Sequence, residues 1–395
     1  MDRLRNRIQN YAWGSHSAIA VIEGRDAPTV SPEAELWMGA HPLACSELSR
    51  GGTWQPLDQV IERDPQREIG PATLARYGPR LPFLLKILAA EQPLSLQAHP
   101  TPEQARAGFA REEALSIPRD AGNRSYRDQN HKPELIVALG TFHALSGFRA
   151  VSASARLFAA LGSPELEFVR SDLARGDAAL GGLFQEILSL AGTRRSEVVK
   201  ATLAACRRVA DLGGEFALEC GWALRLGELH PDDAGVLSAL LLNLVVLEAG
   251  EAIYLPARNL HAYLSGVGVE IMASSDNVLR GGLTPKHVDV AELVRVLEFR
   301  SGGVEVLSAR RLADESVYET PASEFRLSRL ADGAERTPSG PEILLCTAGG
   351  FSLRSAAGTL DLASGQSVFV PVSEGAYSVS GQGSLFRASV GSDHG

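Results

Sequence analysis

Over the first 150 residues the apolar positions come in short runs separated by Gly and Pro, and runs such as L-P-F-L-L-K-I-L (residues 81–88) read as buried strands. From residue 152 to about 226 the spacing changes to helical. Leu157 and Leu161 form one i, i+4 pair; Leu183, Ile187 and Leu190, then Val199, Leu203 and Cys206, continue the rhythm. Ser163-Pro164 and Gly213-Gly214 break it into separate helices. Strand pattern returns at residues 240–247 and 253–255. Beyond about residue 310, short strands punctuated by Gly349-Gly350, Gly358, Gly365 and Gly381 suit a small antiparallel barrel. The pattern predicts a mainly β chain with a helical insertion. Its units are residues 1–150 with 238–310, the insertion 151–237, and a C-terminal unit 311–395.

One internal echo refines this. G-E-A-I-Y-L-P (250–256) and G-Q-S-V-F-V-P (365–371) are both a turn, a short apolar strand and a proline that opens a corner. Five residues past the proline the first copy carries His261 and the second Ala376. Two barrels of one design are expected, the first able to hold a metal and the second not.

At 395 residues, 45% hydrophobic and 22% charged, the chain has the composition of a soluble, well-cored protein of two or three domains. The polar start M-D-R-L-R-N-R speaks against a signal peptide, and the longest apolar run, residues 239–247, is broken by Asn243 and too short for a membrane span. Cys45, Cys206, Cys220 and Cys346 are scattered without a C-x-x-C pair, which argues against a disulfide framework or a thiolate metal site and for the cytoplasm. A net charge of −9 disfavours nucleic acid and anionic membrane as partners. It also means that any phosphorylated ligand requires positive charge gathered locally.

Q-A-H places Gln97 and His99 at i and i+2, on one face of a strand. His261 opens H-A-Y-L after the first corner, and Glu134 opens the strand-like P-E-L-I-V. Together the four offer two imidazoles, one carboxylate and one amide oxygen, a set that leaves a divalent ion strongly Lewis acidic. The other histidines (His16, His41, His143, His230, His287, His394) lack such a context, although His41 in M-G-A-H-P suits a pocket wall. Two further stretches are dense in ionisable groups: Y-R-D-Q-N-H-K-P-E (126–134) and E-I-M-A-S-S-D-N-V-L-R-G-G-L-T-P-K (270–286). In the second, Arg280 and Lys286 flank a Gly-Gly turn, a fork plus a point charge suited to an anion. With Lys132 and Lys86 they make the required cluster. Ordinary solvated loop charges are the plain alternative.

These stretches resemble the two signatures of type I mannose-6-phosphate isomerases, the second running from His261 to Lys286. The resemblance extends to Y-A-W-G-S (11–15), E-L-W-M-G (35–39) and P-L-S-L-Q-A-H-P (93–100). It implies two cupin (jelly-roll) barrels, one zinc per chain held by Gln97, His99, Glu134 and His261, and a catalytic part for Arg280. The chain departs twice from the family's usual pattern. Arg280-Gly281-Gly282 stands for R-A-G, and Arg258 occupies the glycine place of the cupin turn P-x-G-x-x-H. The implied reaction moves a proton between C1 and C2 of a sugar phosphate through an enediol. Glu270 is the leading candidate base, with His131 and Lys132 as rivals; Lys286, Ser95 and Lys86 are assigned to the phosphate. A monomer acting on a small sugar phosphate is expected. The rivals from other classes are a non-haem iron oxygenase and a non-catalytic phosphosugar-binding cupin.

Overall fold

The computed structural model describes residues 1–391; His394 and the end of the expected C-terminal unit lie outside the described residues. The chain is mainly β, with helices concentrated between the two expected halves of the first unit. There Val151–Leu161, Glu167–Leu173, Asp177–Leu188, Gly192–Leu212, Ala217–Leu229 and Gly235–Leu240 enclose a common apolar core. The helices reach further than the spacing predicts. The run V-L-S-A-L-L-L-N-L-V-V-L contains neither Gly nor Pro, and burial of every residue of Gly235–Leu240 hides its period, so the change to the strand Leu242–Leu247 is not marked where it occurs.

The first sheet runs in the order Leu307–Ser308, Glu251–Leu255, Glu134–Ala138, His261–Ala273, Phe83–Ala90, Glu35–Met38, Arg7–Gln9, all antiparallel. The long strand His261–Ala273 changes partners along its length. Its C-terminal part lies between Phe83–Ala90 and Glu134–Ala138, its start between Phe142–Phe148 and Gln97–Ala98. Gly266 sits at the change. Its φ is +125°, and a Cβ there would come within 2.6 Å of Phe142, so the bend needs glycine.

Both faces of this sheet are covered. Leu85, Ile87, Leu135, Val137, Val269 and Ile271 pack outward onto Phe325 and onto Leu327, Ile343, Phe369 and Phe386 of the second sheet. The intervening positions point inward, where Leu88, Ile136 and Ala138 meet Val245, Ile253 and Tyr263. Lys86, Glu134 and Glu270 belong to that inner set.

The second sheet repeats the pairing of the first. Glu134 lies opposite Leu255 on one neighbour and Met272 on the other; Glu342 lies opposite Val370 and Ser389. Leu255 and Val370 each precede the proline of their G-x5-P copy. The N-terminal strand Asp2–Arg5 also joins the second sheet, pairing with Ser367–Val370.

Candidate metal centre and anion cleft

Register places the first group of residues. Gln97 lies opposite His261 on one side and Arg280 on the other, so all three side chains stand in one row on one face. His99 follows Gln97 on the same segment. Its Nε2 is 3.4 Å from Glu134 Oε1, and His261 Nε2 is 3.3 Å from Glu134 Oε2. One ligand atom from each of His99, Glu134 and His261 falls within 4.8 Å of the others, and all three residues are buried. Each ring is turned by its other nitrogen: His99 Nδ1 donates to the Asn277 carbonyl (2.7 Å), and His261 Nδ1 to that of Asn259 (3.1 Å). Both Nε2 lone pairs therefore face the carboxylate. His99 Nε2, His261 Nε2 and Glu134 Oε2 are buried without a hydrogen-bond partner, a costly arrangement that a shared divalent ion satisfies.

Arg258 bears on this geometry. It has φ +69°, the left-handed conformation that a glycine supplies in the cupin turn, and its N–H donates to the His99 carbonyl (2.7 Å). The arginine keeps the turn that its side chain would disfavour.

Deeper along the inner face Lys86 Nζ lies 2.9 Å from Glu270 Oε2 and 3.4 Å from Glu35 Oε1. Tyr263 O–H donates to Glu270 (3.0 Å), and Trp37 Nε1–H to Glu35 (2.7 Å). Lys86, expected at the phosphate, is instead enclosed between carboxylates because its strand is covered on both faces. Burial and the neighbouring charges of Glu134 and Glu35 push the Glu270 carboxyl up against the opposing pull of Lys86. Lys132 lies 3.0 Å from Glu134. Three buried carboxylates thus face two ammonium groups, and a divalent cation offsets the excess negative charge.

Arg280, Lys286 and Arg127 form the cation group at the open side. Burial and then Arg127 lower the Arg280 pKa; burial, Arg280 and Arg127 lower that of Lys286. None of the three makes an ion pair among the described residues, although most arginines of the chain do. Such crowding without a counterion prepares the loop for an anion. Arg127 was not singled out by the sequence, which offers no sign that it meets a residue 153 positions away.

Asn277 laces the two signature stretches together. Its side-chain oxygen accepts from the N–H groups of Arg127 (2.7 Å) and Asp128 (3.1 Å), and its amide donates to the carbonyls of Asp128 (2.9 Å) and Asn130 (2.8 Å). The Asp128 carboxylate accepts from Ser275 and Asp276 in return. His131 faces elsewhere, its Nε2 lying 2.7 Å from Glu324, just before the strand Arg326–Leu330. Ser95 is half-buried, two residues before Gln97. His41 lines the wall, 3.4 Å from Asp276.

Residues 1–151 match the model for the catalytic domain of type I phosphomannose isomerase, and residues 327–390 match that for the mannose-6-phosphate isomerase cupin domain. A mannose-6-phosphate isomerase from Escherichia coli K12 is 39% identical over 98% of this chain and 99% of its own. Mannose-6-phosphate isomerase 1 of Arabidopsis thaliana is 31% identical over 94% and 89%. Among solved structures, a zinc-bound holo mannose 6-phosphate isomerase superposes with a TM-score of 0.92 at 36% identity, covering 99% of both chains. A mutant phosphomannose isomerase from Salmonella typhimurium gives 0.93 at 36% identity with the same coverage.

Proposed function

The chain belongs to the type I mannose-6-phosphate isomerase family, and from that premise we propose how its own residues interconvert D-mannose 6-phosphate and D-fructose 6-phosphate. The observation that carries the reading is the convergence of the unpartnered atoms of His99, Glu134 and His261 beside an unpaired cation cluster. These three residues hold the zinc, and Gln97, in the same row as His261, supplies the fourth donor. Zinc supplies Lewis acidity toward the sugar's oxygens. Glu270 then takes the proton from one carbon and returns it to the neighbouring carbon, while a second proton passes from the hydroxyl oxygen of one carbon to the carbonyl oxygen of the other, the intervening species being an enediol. Lys86 and Tyr263 hold the Glu270 carboxylate in place and Lys132 adds positive charge beside Glu134. Arg280 offsets the negative charge that develops on the sugar, and Lys286, with Arg127 and Ser95, binds the phosphate.

The direct test is a coupled assay for fructose 6-phosphate, run with metal analysis before and after chelation. Turnover should vanish with the zinc and return with it. Mannose 6-phosphate binding without turnover, or turnover indifferent to the metal, would reject the reading. Arg280→Ala is expected to lower kcat far more than it raises KM, and Lys286→Ala to raise mainly KM, about tenfold for one lost charge-assisted contact. Steady-state kinetics with the reverse pattern would exchange the two roles.

Two cupin barrels, in residues 1–150 with 238–310 and in 311–395, account for the repeated strand order and register; the insertion 151–237 stands between the two parts of the first. In the second barrel Glu342 takes the place of Glu134. The Arg387 guanidinium binds that carboxylate, and Tyr377 O–H donates to it at 2.6 Å, so a protein cation does there what an ion does in the first. Arg387→Met should therefore cost about 3–5 kcal/mol in urea unfolding, the usual loss when one partner of a buried pair is removed. An unchanged midpoint would reject the substitution of arginine for metal. No helix of the described residues is long and apolar enough to cross a membrane. A cytoplasmic setting fits the four free cysteines.

A further inference from the structure

Among the described residues the helical insertion makes a polar contact with the anion cleft at Asp233. We propose that Asp233, in the loop between the helices Ala217–Leu229 and Gly235–Leu240, is the positioning residue for the loop that carries Arg280 and Lys286. The inference rests on the reading of Lys286 as a phosphate ligand.

The Asp233 carboxylate spans two segments. Oδ1 accepts from the Gly235 N–H (2.7 Å), which fixes it to its own loop, and Oδ2 accepts from the Thr284 N–H (3.3 Å), which lies in the cleft loop. Thr284 Oγ1 in turn accepts from the Lys286 N–H (3.1 Å), so the bonds run from the insertion to the lysine's own backbone. The two segments meet backbone to backbone at Gly235 and Gly282. A Cβ on Gly235 would lie 2.8 Å from the Leu283 nitrogen, and one on Gly282 would lie 3.0 Å from the Gly235 Cα. Leu283 itself is buried at φ +56°, a conformation that a leucine holds only where its surroundings impose it.

The opposite edge of the loop is held by the catalytic sheet: Gly281 N–H donates to the Leu96 carbonyl (2.8 Å) and Leu96 N–H to that of Gly282 (3.2 Å). Those bonds set Arg280 beside Gln97 but end before Lys286. On the insertion side an open hollow of about 410 Å³, lined by Asp233 itself with Leu188, Arg195, Asp232 and Gly282 among others, runs beside this close contact. Arg280, Lys286 and Arg127 carry like charges, and in the absence of an anion their mutual repulsion works against the lysine end of the loop. The Asp233 bond restrains it. Through Asp233 the insertion keeps the lysine end of the anion site assembled before substrate binds, so the phosphate meets a ready site rather than ordering one.

A capping role for Asp233 confined to the short helix Gly235–Leu240 would alter stability alone, so the test reads anion binding. Asp233→Ala, Asp233→Asn, Lys286→Ala and the Asp233→Ala/Lys286→Ala double variant are compared as zinc-loaded full chains. The readouts are KM for mannose 6-phosphate, the inhibition constant of inorganic phosphate, kcat and zinc content. Asp233→Ala should raise KM and the phosphate constant about tenfold, with kcat within about threefold and zinc unchanged, as expected for one hydrogen bond to a charged group. Asp233→Asn keeps only one of the two bonds in either orientation of its amide, so it should fall between; it also serves alone if the alanine variant does not fold. The double variant should be no weaker than Lys286→Ala, because the aspartate acts through the lysine. A phosphate constant raised by Lys286→Ala but unmoved by both Asp233 variants, or additive losses in the double variant, would overturn the positioning role and leave the phosphate reading standing. A constant unmoved by Lys286→Ala would remove the phosphate reading and the proposal with it.

Discussion

His261→Ala is expected to leave less than about a tenth of the zinc in the purified protein and to lower kcat/KM by at least about 10³-fold, roughly 4 kcal/mol of transition-state stabilisation. The size follows from the geometry. His261 Nε2 is aimed at Glu134 because its Nδ1 is committed to the Asn259 carbonyl, and no other described histidine comes near enough to replace it. Truncation also leaves the buried Glu134 carboxylate with one imidazole and Lys132 as neighbours, so the pocket keeps its negative charge while losing a donor that fixes the ion. Saturating substrate should not restore the rate, since the loss concerns the charge that develops during reaction rather than uniform binding. Metal analysis beside the coupled assay decides it. A variant with full zinc and a rate within tenfold would mean that the three buried residues are a structural cluster and the metal site lies elsewhere.

Much of that centre was legible in the chain, for definite reasons. The i, i+2 spacing of Gln97 and His99 and the position of His261 just past a corner mark side chains that point to one face, and register brings Gln97 opposite His261. Legibility ends where both faces of a strand are buried. Phe83–Ala90 and Glu134–Ala138 are buried along their whole length, so no alternation reveals which face is inner. The single lysine in F-L-L-K-I-L-A-A signals only that something must pair with it. Its partners, Glu35 and Glu270, arrive from strands far away in the chain. Arg127 and Asp233 escape for the same reason, because each acts on a residue that only the fold brings near. Arg258 misleads in the opposite direction: its identity suggests a lost turn, while its backbone keeps the turn at φ +69°.

Glu270→Gln is expected to lower kcat by about 10²–10⁴-fold with KM little changed, the range that a positioned general base contributes. Glutamine preserves the shape and one acceptor, for Tyr263 O–H, but it cannot take a proton and it turns its amide NH2 toward Lys86, so the loss combines the missing base with the broken ion pair. The pH dependence sharpens the test. Burial first, and then Glu134 and Glu35, raise the Glu270 pKa above the ordinary carboxylate value of about 4.3 despite Lys86. A base must be ionised, so the wild-type rate should fall as the pH drops through that raised value, and the residual rate of the variant should lack this limb. Stability carries the opposite sign. Between the ordinary and the raised pKa the folded chain holds a proton that the unfolded chain releases, so this residue makes stability decline as the pH rises through the window. Glu270→Gln should flatten that decline in thermal melts taken over the same range. The rivals are constrained by their partners: His131 is bound to Glu324, and Lys132 lies against Glu134. If Glu270→Gln kept kcat within threefold and Lys132→Met abolished it, the proton would pass through the lysine instead. The buried row of Glu35, Lys86 and Glu270 would then serve to stabilise the inner face of the first sheet.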